Sequence, residues 1–429
     1  MNQSSSMECA KSELDLFGAP PTQTSIEKGE WVEYYPITSV TETGPIQFSV
    51  VGNSDYYLDL SQSYLHIIAK IEKKGGTWED KDDAGPVNLF LHSLFSQVDV
   101  SLNERLVTPS SNTYPYRAMI ETLLNYGHDS KNTKLTSSLF YKDSAGHMDS
   151  LTDNNGLKTR SRFTAKGAQV DMIGRLHCDL FMQPRLLLNM VDMKIRLIRS
   201  IDVFSLMASE DKYKVKVEEA ILIIRKELPS PAVRLGHTKA LEHGTAKYPV
   251  NRVICKSYAT APGSLTFSQD NIFLGQLPNR IVIGLVESDN FNGNITKNPF
   301  NFHHHDVNFL ALYMDGQQFP HKALTPNYEN KKFIRCYHTL FSGTGKESGD
   351  LGNWISREEY SKGHCLYVFD LTPDGCSIDH FNVRKNGNLR MEVHFAKPAQ
   401  NPLNIIIYAE FENIIEIDKK RNVIFDFTQ

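Results

Sequence analysis

Two stretches of this chain, a little over two hundred residues apart, spell the same supersecondary unit, and a chain that writes one β-unit twice is constrained to build two similar stacks of sheet. The first runs Val98-Asp99-Val100-Ser101-Leu102 through the turn Asn103-Glu104 to Arg105-Leu106-Val107 and Pro109, then on to Tyr116 and Glu121-Thr122-Leu123-Leu124. The second runs Phe309-Leu310-Ala311-Leu312-Tyr313-Met314 through Asp315-Gly316 to Gln317-Gln318-Phe319 and Pro320, then on to Tyr337-His338-Thr339-Leu340-Phe341. Each is an apolar-rich strand, a tight polar turn, a short return strand halted by proline, and a second apolar segment. The expectation is two tandem β-domains.

Length agrees. A single hydrophobic core stops growing near ~250–300 residues, and this chain has 429. Hydrophobic residues at 40% and charged residues at 22% suffice for two cores and are too apolar for disorder. With 46 basic against 50 acidic residues the formal charge is −4. No run of five or six Lys/Arg occurs, which argues against a surface devoted to nucleic acid. Met1-Asn2-Gln3-Ser4-Ser5-Ser6 lacks the basic and apolar regions of a secretory signal, and no apolar stretch is long enough to span a bilayer. The expected compartment is reducing. Cys9, Cys178, Cys255, Cys336, Cys365 and Cys376 are scattered with no CxxC pair, so they read as thiols buried in strands, with a disulfide framework or a zinc site as the alternatives. Asn294-Ile295-Thr296 matches a glycosylation sequon that such a protein would not present.

Along the chain, residues 1–30 are polar apart from Leu14, Leu16, Phe17 and Pro20-Pro21, and read as an extended arm or a disordered tail. Alternation of period two then dominates: Ile46, Phe48 and Val50; Tyr56, Leu58 and Leu60; Leu65, Ile67, Ala69 and Ile71; Met193, Ile195 and Leu197; Ala220, Leu222 and Ile224. It returns at Ile281, Ile283 and Leu285, at Leu389, Met391, Val393 and Phe395, and at Ile405, Ile407, Ala409 and Phe411. Half-buried sheets follow. Tyr116, Met119, Ile120, Leu123 and Leu124 have helical spacing, with Pro115 in the first turn and Gly127 placed to end it; this helix is expected to cap a sandwich, or else to bind a partner. Leu228-Pro229-Ser230-Pro231 ends a strand and sets the domain boundary, giving 31–228 and 229–429. Four long loops, 73–86, 142–169, 287–306 and 342–363, are expected to be outward-facing contact surfaces.

Chemistry is scarce. Ser342-Gly343-Thr344-Gly345-Lys346-Glu347-Ser348 suggests a phosphate loop, yet Leu340 stands where its first glycine belongs and Glu347 where its Ser/Thr belongs, leaving a flexible Gly-rich surface loop. His303-His304-His305-Asp306 is the most metal-like cluster, but in an extended segment at most His303 and His305 converge, leaving a site short of ligands unless Asp306 or a neighbouring chain contributes. No GxSxG, HExxH or GxGxxG motif occurs. No residue is nominated as catalytic, cofactor-binding or metal-ligating, and the chain is not expected to be an enzyme.

Further runs carry a family resemblance. Ile46-Gln47-Phe48-Ser49-Val50-Val51-Gly52, Tyr57-Leu58-Asp59-Leu60, Asn88 to Val100, Tyr114-Pro115-Tyr116-Arg117 and Glu121 to Gly127 resemble the major capsid proteins of Polinton/Maverick elements and adintoviruses. The likeness continues at Gly275-Gln276-Leu277-Pro278, Asn298 to Phe302, Tyr337 to Phe341, Phe369 to Asp374 and Tyr408 to Asn413, and so covers nearly the whole chain. That family is similar to adenovirus hexon and virophage capsid proteins. The resemblance implies an all-β double jelly roll, two tandem eight-stranded antiparallel sandwiches with short capping helices. It further implies a homotrimer forming pseudo-hexagonal capsomers of an icosahedral virion, assembled in the nucleus or cytoplasm of a host cell. The implied partners are neighbouring capsomers and a minor, penton-type capsid protein; the shell would enclose double-stranded DNA without sequence-specific binding and without membrane insertion, and no cofactor is implied. The alternative from a different class is a receptor- or carbohydrate-binding sandwich of a spike or fibre.

Overall fold

The period-two pattern is realised as four antiparallel sheets of four principal strands in a computed structural model, which describes residues 11–40, 44–79, 82–375 and 380–427. The first half supplies β1 (Ile26–Tyr34), β2 (Ile46–Val50), β3 (Tyr57–Lys73), β4 (Phe95–Leu102), β5 (Arg105–Leu106), β6 (Gln169–Gly174), β7 (Met193–Arg199) and β8 (Tyr213–Pro229). The second supplies β9 (Ala246–Thr260), β10 (Thr266–Gln276), β11 (Arg280–Glu287), β12 (Val307–Met314), β13 (Gln317–Leu324), β14 (Leu366–Asp370), β15 (Asn386–Phe395) and β16 (Leu403–Ile417). Sheet orders are β1-β8-β3-β6 and β2-β7-β4-β5 in the first half, β9-β16-β11-β14 and β10-β15-β12-β13 in the second. Each second-half order is the first-half order shifted by eight strands. The duplication is therefore topological, and each half is a sandwich of two sheets.

The two hairpins that exposed the repeat use one turn geometry. Asn103 and Glu104 join β4 to β5 with φ of 44° and 65°; Asp315 and Gly316 join β12 to β13 with φ of 49° and 83°. Two consecutive left-handed residues make the primed turn whose twist matches the flanking strands, and Asn, Asp and Gly tolerate that region best. Both hairpins lead on to a helix: α1 (Tyr114–Asn125) in the first half, with α2 (Asn155–Thr164) and α3 (Pro231–Ala240) following in sequence, and α4 (Ile334–Ser342) in the second half. Sequence reading assigned only the first of these. Helix α4 does carry the pattern, with Phe333, Cys336, Tyr337, Leu340 and Phe341 at i, i+3, i+4, i+7 and i+8, whereas α2 and α3 carry too few apolar residues in register; the starts of these two have physical causes, since the Asn154 side chain accepts the Leu157 N–H at α2, and Ser230-Pro231 opens α3 with proline in the first turn.

Alternation held where one face of a strand meets the core. Ile46, Phe48 and Val50 on β2, Met193, Ile195 and Leu197 on β7, and Leu389, Met391, Val393 and Phe395 on β15 are buried while their neighbours are not. It failed in two places. At the start of β3, Tyr57 and Asp59 are buried along with Leu58 and Leu60, because the ladder to β8 slips here and Asp59 folds back to accept Ser61 N at 3.0 Å and Ser61 Oγ at 2.6 Å. On β11 and β16 the runs Ile281 to Val286 and Leu403 to Ala409 are buried on both faces, since the sheet is covered by α1 and α4 as well as by its partner sheet.

Three further expectations change. Residues 26–34 are strand β1, paired with β8, so the arm ahead of the sheet is shorter than residues 1–30; residues 1–10 lie outside the described residues. Helix α1 does not cap one sandwich: its Tyr116, Met119, Ile120, Leu123 and Leu124 share a core with β11, β14 and β16 of the other half, while Tyr248, Val250, Ile415 and Ile417 of the second half complete the core of the first. Finally, three of the four long loops turn inward and bond to one another, as described next.

Candidate functional site at the seam between the two sandwiches

Helix α1 presents a polar edge opposite its apolar stripe, and this edge is also buried. Arg117 and Glu121, one turn apart, pair at 2.9 Å (Nε to Oε1). Arg117 Nη2 reaches Asp179 Oδ1 at 2.8 Å, and His177 Nδ1 reaches Glu121 Oε2 at 2.5 Å. The second half closes the circuit: the Tyr408 hydroxyl lies 3.3 Å from Glu121 Oε1 and 2.9 Å from Glu410 Oε1, and Val253 N donates to Asp179 Oδ1 at 3.2 Å. Ahead of the helix, Thr113 Oγ1 donates to the Cys255 carbonyl at 2.9 Å. Burial would raise Glu121, but Arg117 and His177 overcome it and hold the carboxyl at about 2. For Asp179 burial prevails over Arg117 and the shift is upward. Behind them, burial and neighbouring His177 push His92 well below the ordinary histidine range, and its Nδ1 bonds the Tyr114 hydroxyl at 2.9 Å. The cavity beside Arg117, His177, Cys178 and Cys255 measures about 30 Å³, room for a water or two and no substrate. The acids and bases here are spent on one another; the arrangement is an interlock.

The C-terminal end of α1 is held in the same manner. Lys131 Nζ donates to Leu123 O at 2.8 Å and to Asn353 O at 2.6 Å, and Lys346 Nζ donates to Leu124 O at 2.6 Å. Cations on the last carbonyls complement the helix dipole and satisfy acceptors that the helix leaves open. Lys346 belongs to the Gly-rich stretch that resembled a phosphate loop, so its charge is already engaged. Burial lowers Lys131 well below the usual lysine value, helped by Lys142 and Lys346.

Loops 142–169, 287–306 and 342–363 converge nearby. Fully buried Arg160 donates to Pro86 O at 2.9 Å, Tyr141 O at 2.6 Å and Asp143 Oδ1 at 2.7 Å. Asp143 Oδ2 accepts from Asn298 Nδ2 at 3.1 Å, and Asn298 N donates to Asp149 Oδ1 at 2.7 Å. Lys142 bonds the Trp354 carbonyl and Glu359. Sequence reading missed this cluster because its cross-links, Asn298 to Asp143 and Lys142 to Glu359, join side chains more than a hundred residues apart, and nothing local marks these polar loops as buried.

The histidine cluster is bent, not extended: His305 and Asp306 have φ of 43° and 52°. His303 Nδ1 accepts from His305 N at 3.1 Å and His304 Nδ1 from Asp306 N at 2.9 Å, while His304 stacks on Tyr328 at 3.9 Å. Burial, then His303, lowers His304 to about 4 and His305 to about 3. No group of three potential metal ligands occurs among the described residues. Cys178, Cys255, Cys336 and Cys365 are free and buried, with Cys178 and Cys255 pushed up to about 12 by burial; Cys9 and Cys376 lie outside the described residues. No helix among the described residues is long and apolar enough to cross a membrane. On the surface, Leu14, Leu16 and Phe17 of the arm are 73%, 76% and 98% exposed.

These features can be set beside known proteins. No family model matches the chain. A chain of the Sputnik virophage, solved by cryo-EM, superposes with a TM-score of 0.68 over 98% of this chain and 93% of its own, at 13% identity. The Faustovirus major capsid protein gives 0.59 over 93% and 92%, at 9% identity, and the mavirus major capsid protein 0.55 over 99% and 96%, at 12% identity. The fold is a double jelly roll. In a double jelly roll the two sandwiches are separate strand systems, and here the Arg117–Glu121–Asp179 interlock with its partners Val253 and Tyr408 ties them together with the shared apolar cores and the converging loops. By sequence the chain is similar to an uncharacterized protein of Caenorhabditis elegans, 26% identical over 423 residues that span 95% of this chain and 99% of that protein.

Proposed function

We propose that this chain is a major capsid protein, a structural protein that acts by self-assembly and not by catalysis. The observation that carries the reading is end-to-end likeness of fold: the Faustovirus and mavirus major capsid proteins, like the Sputnik virophage chain, superpose over nine-tenths or more of this chain and of their own. Three copies, each contributing two sandwiches divided near residue 229, would form a pseudo-hexagonal capsomer, since a closed ring of three two-lobed subunits has six lobes. Capsomers would tile an icosahedral shell around double-stranded DNA, joined by a penton-type protein at the vertices. The near-neutral balance of 46 basic and 50 acidic residues suits enclosure without sequence-specific contact. The seam supports this role, because a subunit whose sandwiches are locked by buried ion pairs presents one fixed outline to its neighbours. The animal relative of equal extent favours a virus-like element integrated in a host genome.

The test is the mass and shape of the purified protein. Sedimentation at micromolar concentration should give three chains per particle, and negative-stain images should show hexagonal outlines that form sheets or shells when the minor capsid protein is co-expressed. A mass of one chain with saturable glycan binding would overturn the reading in favour of a receptor-binding module.

A further inference from the structure

Helix α3, which links the two sandwiches, stands beside a groove of about 430 Å³. Val233, His237 and Ala240, spaced to share one face of the helix, form one wall, and Leu186 and Leu188 of the first half with Tyr248 of the second form the other. A surface helix ordinarily buries its apolar face, yet none of the ten residues of α3 is buried. The helix is nonetheless held in place, because Arg234 pairs with Asp55 and the Tyr57 hydroxyl lies 3.0 Å from His237 Nδ1. Arg185 and Lys247, both exposed, border the groove, and no carboxylate among the described residues lines it. It is an apolar slot with a basic rim.

The same chain carries a segment that answers this groove in both respects. Leu14, Leu16 and Phe17 of the arm are exposed, and Glu13 and Asp15 stand between and beside them. The arm leaves the body at Ile26, which itself borders the groove, so Phe17, nine residues earlier, lies within ~30 Å of it along an extended chain. A turn braced by Gln23 sets this exit: its Oε1 accepts from Ile26 N at 2.8 Å and its Nε2 donates to Ile26 O at 3.0 Å. Every residue from 11 to 25 is exposed, so the arm buries nothing against its own subunit. An arm that begins beside its own groove and stays out of it is placed to enter a neighbour's.

We propose that the groove beside α3 receives the segment Glu13 to Phe17 of a second copy of this chain, with Leu16 and Phe17 between the helix and the Leu186–Tyr248 wall and with Glu13 and Asp15 at the rim against Arg185 and Lys247. Burial of the large apolar side chains supplies the attraction, and the opposite charges select the partner and its direction. Each subunit then offers one groove and one arm, a heterologous contact that closes into a ring or runs from one capsomer to the next. The inference rests on the self-association in the capsid reading and names one contact through which it proceeds.

The experiment titrates a fluorescent peptide of residues 11–23 with the full chain carrying Leu16→Ser and Phe17→Ser, whose own arm no longer competes. Saturable binding by anisotropy is expected, weaker at high salt than at low because the rim charges are screened. The same two changes in the peptide, or Val233→Glu added to the receptor, should weaken it about tenfold or more, the effect of losing one large buried apolar contact. Lys247→Glu, on an exposed strand position, should weaken it less and flatten the salt dependence. A peptide that does not bind overturns the proposal, as does binding that neither receptor change alters. Which copy supplies the arm is read by cysteine pairing: chains with Cys9→Ser and Cys376→Ser that carry either Phe17→Cys or Val233→Cys are co-expressed and oxidised with diamide. A disulfide joining two chains is expected. A link that forms only when both cysteines are in one chain assigns the groove to the chain's own arm and overturns the proposal, and so does no link in either case. A trimer whose groove ignores the peptide sinks this contact alone, whereas a one-chain mass in sedimentation sinks the capsid reading whatever the peptide does.

Discussion

Arg117 and Glu121 pair at 2.9 Å inside the protein, and each reaches a second partner that the other does not, Arg117 taking Asp179 and Glu121 taking His177. Such a pair gains little over apolar side chains of the same volume, because both ions surrender their hydration. Breaking it is different. Glu121→Ala leaves a guanidinium buried with Asp179 alone, and the expected loss of stability is about 3–5 kcal/mol, read from the midpoint and slope of urea unfolding. The double change Arg117→Met with Glu121→Leu should cost well under the sum of the two single changes, because neither member of the pair is left facing the other's absence, while the losses at Asp179 and His177 are already counted in the single changes. Additive losses would mean the residues do not act as a unit.

The same carboxylate sets a pH dependence. Glu121 sits at about 2 in the fold against an ordinary value of 4.5, so its contribution is complete above about pH 4.5 and is lost as pH falls toward 2. Asp179, shifted the other way by burial, contributes with opposite sign, but it is present in both members of a comparison between the native chain and Glu121→Gln. The stability gap between these two proteins should be constant from pH 7 to about 5 and close between pH 4.5 and 2. A gap that persists unchanged at pH 2.5 would show that Glu121 is not held low.

Much of this architecture was legible because it is local. Turn chemistry at Asn103-Glu104 and Asp315-Gly316 and alternation at Ile46, Phe48 and Val50 depend on neighbours in sequence, so both hairpins and the half-buried strands could be read directly. The seam could not. Arg117 and Glu121 lie off the apolar stripe of α1, and nothing in their i, i+4 spacing reveals that Asp179 and Tyr408 will cover them. The unbroken runs Ile281 to Val286 and Leu403 to Ala409 were the one available hint, as a strand apolar on both faces needs a second layer over it. Loop lengths misled for a related reason: Asn298 and Asp143 are polar, which suggests solvent, yet they are polar for each other.

Lys346 offers a test of the helix end. Its ammonium caps Leu124 O across the seam, and burial lowers its pKa. Lys346→Met keeps most of the packing and removes the charge, with an expected loss of about 1–2 kcal/mol. If the loop bound phosphate instead, inorganic phosphate would stabilise the native chain more than it stabilises Lys346→Met.

For the histidines the structure sets the expected magnitude. His303, His304 and His305 are half-buried and engaged with one another, so His303→Ala with His305→Ala should cost about 1–2 kcal/mol by lost packing, more than a solvated loop would. The melting temperature of the native chain should not move on addition of EDTA. A fall of several degrees with chelator, reproduced by the double variant, would establish a structural metal.

The arm supplies the last prediction. Leu14, Leu16 and Phe17 expose their side chains almost entirely, within a stretch that also carries Glu13 and Asp15, ahead of a strand that is well anchored through β8. Three large apolar groups so placed add nothing to the stability of their own subunit, and burying each against a neighbour would contribute about 1.5–3 kcal/mol before the cost of ordering the arm. Deleting residues 1–22 therefore should leave the melting temperature and the trimer mass unchanged while the yield of shells in co-expression falls severely; Phe17→Ser with Leu16→Ser should reproduce much of that loss without shortening the chain. Shells formed at the native yield by both variants would mean that contacts between capsomers come from the sandwiches alone.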